Sequence, residues 1–429
     1  MFKVLGNAWK IPELRKKILF TLLILFVYRV GCFIPIPGVN SEFIASQVDA
    51  LSLLGFVNTF SGGALRNMTV FALGITPYIN ASIIMNLLCV AIPALERLSK
   101  NGDDGPKKIQ TITRFVGVGL GLVQAIGIIF GLGQEAVADH HWFNYVTIIL
   151  CMTAGTALIM WLGERINEKG VGNGISLIIF ISIVSSVVPT AITLIQGTFG
   201  LGEGGAVTIP WWVLPVMIVF ALIVLVAITY VDMGERRIPV QYAKKVVGRK
   251  MYGGQSTYIP MKLNQSGVMP LIFATTFIQF PGMIGQLFGT DSGFYQWWEK
   301  YLSSGSVIYM VLYLLLILFF TYFYSQIAFN PIDVSKNMQQ YGGFIPGIRP
   351  GKPTSDYLAK ILSRITLFGA LFLAVLAAVP TLMGSMTQSI SNSFGFGATS
   401  LLIMVSVALE TSKAIESQMM MRHYKGFLK

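Results

Sequence analysis

The sequence predicts an all-α polytopic membrane protein with ten transmembrane helices, and three observations carry that prediction. Hydrophobic residues make up 54% of the 429 and charged residues only 12%, about half the charged share of a soluble domain. Ten apolar runs reach the roughly 20 residues that a helix needs to cross about 30 Å of hydrocarbon. The basic residues are split across these runs in the way membrane topology demands: with the N-terminus inside, 28 Lys and Arg lie in inside segments and two, Arg66 and Lys300, in outside ones. That asymmetry places both ends in the cytoplasm, and an odd number of spans would put one end on the wrong side of it. Soluble enzymes and disordered tails are excluded.

The runs fall at roughly 18–34, 73–93, 114–133, 143–163, 174–196, 211–231, 267–288, 305–326, 363–383 and 396–412. No small-residue cleavage site follows the first, so it reads as a retained span; Arg29 within it is expected to snorkel toward the outer headgroups. Between spans 1 and 2, LLGFVNTFSGGALRNMTVF (53–71) is too polar for lipid and too apolar for a solvated loop. Backbone of that kind survives inside protein or against a water-filled cavity. A re-entrant segment stoppering an outer vestibule fits, with an external amphipathic helix as the plain alternative. Span 3 carries two GxxxG pairs, Gly117/Gly121 and Gly127/Gly131, which helix packing explains. Cys32, Cys89 and Cys151 sit in separate runs, without metal spacing, and read as buried thiols.

Two inside loops exceed what a connection requires. Residues 232–266 hold Arg236, Arg237, Lys244, Lys245, Arg249, Lys250 and Lys262, with alternation that predicts a hairpin. Residues 327–357 hold Arg349 between Pro346 and Pro350 in GGFIPGIRPG. Such a basic face suits RNA phosphates or acidic protein, although positive-inside bias alone also accounts for its charge.

An internal repeat links spans 2 and 7, GITPYINASI (74–83) against GVMPLIFATT (267–276), and spans 5 and 10, GISLIIFIS (174–182) against ATSLLIMVS (398–406). A unit of five spans re-enters the membrane from the opposite face, so the repeat makes the halves, 1–200 and 201–429, inverted; shared Ile/Leu composition is the plain alternative. Inverted halves place a site near the mid-membrane, where a coupled transporter would hold ionisable groups. His140, His141 and His423 lie in loops or the tail instead. What aligns is isoleucine: Ile75, Ile79, Ile175, Ile179, Ile272 and Ile403. By helical rise Ile179 stands ~14 Å beyond Gly170 and Ile403 ~10 Å beyond Phe396, near mid-bilayer. A ring of such side chains makes a dry constriction that resists ions by dewetting and selects no chemical group. Six ordinary core isoleucines satisfy the spacing equally well.

Several stretches are polar and specific enough to mark a family: FIPIPGV (33–39), FSGGALRNMTVFALGITPYINASII (60–84), EKGVGNGISLIIF (168–180), ERRIPVQYAKK (235–245), FNPIDVSKNMQQYGGFIPGIRPGKPT (329–354) and GATSLLIMV (397–405). Along essentially its whole length the chain resembles the SecY family, the channel-forming subunits of the protein translocon, and its short tail and loops resemble the bacterial branch. The resemblance implies two five-helix halves around an hourglass pore in the bacterial plasma membrane, with unfolded secretory polypeptide as cargo. It implies a pore ring at the six isoleucines and a plug helix over about 57–70, including Phe60, Ser61, Gly62, Gly63, Ala64, Leu65, Arg66 and Asn67. A lateral gate between spans 2–3 and 7–8 would release apolar segments into lipid, with Asn86, Gln124 and Gln279 as candidates. The implied partners are SecE, SecG, the motor ATPase SecA, the ribosome, the signal sequence and membrane lipid, but not DNA; SecA or ribosome docking would fall to Arg349, Arg236, Arg237 and their basic neighbours. No P-loop, metal cluster or nucleophile–base arrangement appears in the sequence, so no energy source, cofactor or catalytic residue is expected. A secondary transporter for small solutes remains the alternative raised by the inverted halves, and an intramembrane protease is a distant third.

Overall fold

A computed structural model describes residues 6, 8–50, 52–99, 101–102, 104–200, 210–242, 245–247, 250–252, 256–287, 292–302, 306–386 and 397–425. The chain forms two compact units. The first comprises Met1–Leu214, Thr276–Ser306 and Ile403–Lys429, the second Pro215–Thr275 and Val307–Leu402. Segments late in the sequence thus join the first unit.

In the first unit, α1 (Pro12–Gly31) opens on a proline, tolerated there because the first-turn N–H groups have no helical partner. Two short helices follow, α2 (Ser41–Ala50) and α3 (Ser52–Ser61). Helix α4 (Thr76–Ala91) ends where Pro93 cannot continue the hydrogen-bond ladder, and α5 (Pro93–Ser99) leaves it at 106°. Helices α6 (Asp104–Gly131) and α7 (Trp142–Lys169) come next. Gly117 of α6 lies against Tyr78 and Ala81 of α4, and Gly121 against Pro77 and Thr156, so this first GxxxG pair lets α6 approach both α4 and α7. The carboxylate of Glu164, 8% exposed, is paired with Arg114 and accepts from Gln110 Nε2 at 3.3 Å. Asn173 caps α8 (Gly174–Phe199), its side-chain oxygen accepting from the backbone N–H groups of Ile175 and Ser176. Gly170 instead closes α7, so Ile179 stands only ~7.5 Å into α8 by helical rise.

Helix α9 (Val213–Met233) leads in the second unit to four strands, β1 (Glu235–Tyr242), β2 (Lys245–Val247), β3 (Lys250–Tyr252) and β4 (Ser256–Lys262). Strands β1 and β4 pair antiparallel, as do β2 and β3, which builds the expected hairpin. Then come α10 (Met269–Leu287), α11 (Gly293–Leu302), α12 (Val307–Ala328), α13 (Pro331–Gln340), β5 (Gly343–Phe344), α14 (Lys352–Met386) and α15 (Gly397–Lys425). Each apolar run read from the sequence has a helix over it. Among the described residues five helices are long and apolar enough to cross a membrane, and the bent α4–α5 pair makes a sixth.

The two long loops form one lobe. Strand β5 adds to the free edge of β1, Gln241 opposite Phe344 and Tyr242 opposite Gly343. Beneath the sheet, Ile238, Val240, Met261, Met338, Ile345, Leu358, Ile361, Leu362 and Ile365 share an apolar core. Leu358 is fully buried, and Leu358→Ala is expected to cost about 2–5 kcal/mol, seen as a lower midpoint when the lobe is unfolded thermally.

The matched spans of the repeat share a backbone detail. Gly74 has φ +58° and Gly267 φ +62°, a left-handed conformation that favours glycine, and each sits two residues before its helix, α4 or α10. Burial follows the same register: Ile79 and Ile272 are 7% and 5% exposed, Ala81 and Ala274 both 0%.

Candidate functional site: pore-lining, plug and docking residues

The 57–70 segment is built around a helix end. Helix α3 stops at Ser61, and the residues after it run as turns to Gly74; of the 57–70 window only residues 57–61 are helical. Gly62 (φ +67°) and Gly63 (φ +87°) reverse the chain. The Gly63 N–H donates to the Asn58 carbonyl at 2.9 Å and that of Gly62 to Thr59 at 3.2 Å, a helix stop that needs left-handed glycine. Asn58 Oδ1 accepts from the Arg66 N–H at 2.9 Å and Ser61 Oγ from the Leu65 N–H at 3.3 Å. Phe60, Ser61, Ala64 and Leu65 are buried, Gly62 and Gly63 half-buried, Arg66 and Asn67 exposed. The FIPIPGV stretch clips the far end of this loop: Ile36 N–H donates to the Met68 carbonyl at 3.0 Å and Val70 N–H to the Ile34 carbonyl at 3.1 Å.

Arg29 is held within the first unit. Its Nη1 donates to the carbonyl of Gly62 at 3.2 Å and to Ser185 Oγ at 2.9 Å. Cys32 is buried as expected, whereas Cys89 and Cys151 are half-buried; all three are free thiols.

Of the six isoleucines, Ile75 (1% exposed), Ile79 (7%), Ile179 (4%) and Ile403 (3%) are buried residues of the first unit and Ile272 (5%) of the second. Ile175 is half-buried, and its Cγ1 rests against Gly163 of α7. Ile75 precedes α4 as its N-cap and Ile79 lies one turn on, so the two share a face. Among the polar candidates for the side opening, Gln124 and Gln279 are 8% and 9% exposed and Asn86 is half-buried.

Sequence reasoning passed over Asn80. It is 1% exposed, and neither atom of its amide has a hydrogen-bond partner; one turn earlier Thr76 Oγ1 is likewise buried and unpartnered. Buried polar groups without partners are rare. The signal was available as a polar pair four residues apart, on one helix face, inside an apolar span.

On the lobe, Arg236, Arg237 and Arg349 are exposed. Arg237 is engaged: its Nε donates to Glu235 Oε1 at 2.7 Å and its guanidinium carbon lies 4.8 Å from the Tyr258 ring centroid. The hydrogen bond to Glu235 pushes the Arg237 pKa up. Arg349 stands on a braced turn. Thr354, fully buried, donates its hydroxyl to the Arg349 carbonyl at 2.8 Å, and Ser335 Oγ donates to the Gly351 carbonyl at 2.8 Å. Lys244 and Arg249 lie outside the described residues, and for Lys245 and Lys250 only the strand backbone is described.

The chain's relationship to known proteins runs through all of these segments. The SecY family model matches residues 69–412. The chain belongs to the SecY family. A SecY relative, protein translocase subunit SecY of Streptomyces galbus, is 47% identical over the whole of both chains, and that of Streptomyces coelicolor is 45% identical, again over the whole of both. Solved SecY-type folds agree. A structure described as that of a protein conducting channel superposes with a TM-score of 0.66 at 18% identity, covering 96% of each chain. A second, reported with the finding that the plug domain stabilises the closed state and maintains a membrane seal, gives 0.63 at 19%, also over 96% of each. Sec61 from a canine ribosome–channel complex gives 0.62 at 16%, with the same coverage.

Proposed function

We propose that this chain is the central pore-forming subunit of a protein-conducting channel, passing unfolded secretory polypeptide across the membrane and releasing transmembrane segments sideways into lipid. The observation that carries the reading is the full-length match to protein translocase subunits, at 47% identity. The protein is a multi-pass membrane protein, and the basic asymmetry of its loops orients both termini to the cytoplasm. Ile75, Ile79, Ile179, Ile272 and Ile403 serve as the gasket, their burial being what a closed aliphatic seal requires; Ile175 joins them with part of its surface already spent on Gly163. Residues 57–70 act as the plug. Asn80 and Thr76 join Asn86, Gln124 and Gln279 as polar groups of the side opening, because a polar group left unpaired in the closed state gains when a passing chain or water reaches it.

Energy comes from partners, the motor ATPase SecA or the ribosome, docking on the lobe through Arg349 and Arg236. Neither side chain has an ion-pair partner among the described residues, while Arg237 is already held by Glu235 and Tyr258. SecE and SecG complete the complex. Purified complex in vesicles tests the whole reading: a secretory precursor should enter a protease-protected state when SecA and ATP are added. Solute uptake driven by an ion gradient, with no precursor transit, would establish the transporter alternative instead. Deleting residues 60–68 is expected to raise resting ion conductance of bilayers holding the complex by on the order of tenfold, as a dewetted seal gives way; an unaltered closed-channel conductance would mean the segment is no plug.

A further inference from the structure

The outer end of α1 grips the helix end of the 57–70 segment through two adjacent side chains. Arg29 Nη1 donates to the Gly62 carbonyl and to Ser185 Oγ of α8, with its guanidinium carbon 5.5 Å from the Phe33 ring centroid. Beside it, Tyr28 is fully buried; its hydroxyl lies 2.7 Å from Ser182 Oγ and donates to the Ser61 carbonyl at 3.4 Å, while its ring stacks on Phe71 at 5.6 Å. Ser185 Oγ is also 3.5 Å from the Gly62 carbonyl. The two carbonyls so engaged, Ser61 and Gly62, belong to the C-terminal end of α3, where acceptors lack helical partners and partial negative charge accumulates.

We propose that Arg29, with Tyr28, is a latch that holds the plug against α8, and that releasing it is a step in opening. The inference rests on reading 57–70 as the plug. The chemistry of the contact makes it a latch and not mere packing. Arg29 is a half-buried cation in a membrane span, and no carboxylate pairs with it among the described residues; its compensation comes from Ser185, the Phe33 ring and the plug's own carbonyl. Moving the plug withdraws one of the few groups that solvate the charge, and a charge left short of partners inside a span is costly. Position 62 is fitted to this arrangement: a Cβ there would approach Arg29 Nη1 to 2.8 Å and Ser185 Oγ to 2.9 Å.

The test measures resting ion leak of the full complex in vesicles for Arg29→Gln and Tyr28→Phe, each with and without deletion of residues 60–68. Arg29→Gln is expected to raise the leak about tenfold, the effect of losing one charge-assisted hydrogen bond, and Tyr28→Phe by about threefold, as for a neutral one. In the deleted background neither should add anything, because what they hold is gone. A leak unchanged by Arg29→Gln while the deletion raises it overturns the latch and leaves the plug standing. Equal increments with and without residues 60–68 also overturn the latch, showing that Arg29 acts through packing. If the deletion itself is silent, the plug reading fails first. Should Arg29→Gln not accumulate in membranes, Tyr28→Phe and Ser185→Ala each remove a single hydroxyl and decide the same comparison.

Discussion

Arg349→Glu is expected to abolish partner-driven transport, lowering precursor transit at least ~100-fold, because a docking contact that met a cation now meets a like charge costing several kcal/mol. The fold should survive. The side chain is exposed and makes no ion pair among the described residues, and the turn beneath it is held by main-chain carbonyls, those of Arg349 and Gly351, which the substitution leaves in place. Transit assayed with SecA and ATP, alongside thermal unfolding of the same preparation, separates docking from folding. Arg349→Lys keeps the charge but not the planar fork and should fall between. Arg237→Glu reads differently: it sets two carboxylates side by side at Glu235 and removes the stack on Tyr258, so it should weaken the lobe before it weakens docking. Normal transit by Arg349→Glu would remove this residue from the docking surface.

Ile403→Asn is expected to raise resting ion conductance by on the order of tenfold, since one amide in an aliphatic constriction admits water and with it ions. Burial alone does not distinguish a seal from a core, and Ile403 at 3% exposed has a neighbour, Leu402, at 1%. The neighbour is therefore the control. Leu402→Asn should lower stability, as any polar substitution of a buried residue does, without opening a leak. If both variants leak equally, or neither does, Ile403 is an ordinary packed residue. Cysteines placed at the six isoleucine positions should in turn crosslink to a precursor stalled in transit.

Local chemistry was legible in the sequence, and long-range pairing was not. Apolar length located the helices, and the alternation after Gly234 located the hairpin, because both are properties of contiguous residues. That β5 would extend the hairpin's sheet could not be read: Tyr242 and Gly343 are a hundred positions apart, and a two-residue strand has no periodicity to detect. Where the helix in the 57–70 segment ends is set by the left-handed backbone of Gly62 and Gly63, which the polarity of the segment does not announce. Arg29 was assigned to the headgroups by a rule for cations near span ends; its actual partners, the Gly62 carbonyl and the Ser185 hydroxyl, lie more than thirty and more than one hundred and fifty residues on, beyond the reach of local pattern. Asn80 was legible only as half of a polar pair with Thr76 inside an apolar span; its burial without a partner among the described residues is what the coordinates add.

The short ladder between residues 241–242 and 343–344 makes the lobe a lever. A thrust at the Arg349 turn would pass into β5, across two residue pairs into β1, and so to the root of α9. For a partner docking at Arg349 as proposed, that single foothold would reach a helix about a hundred residues back in the polypeptide.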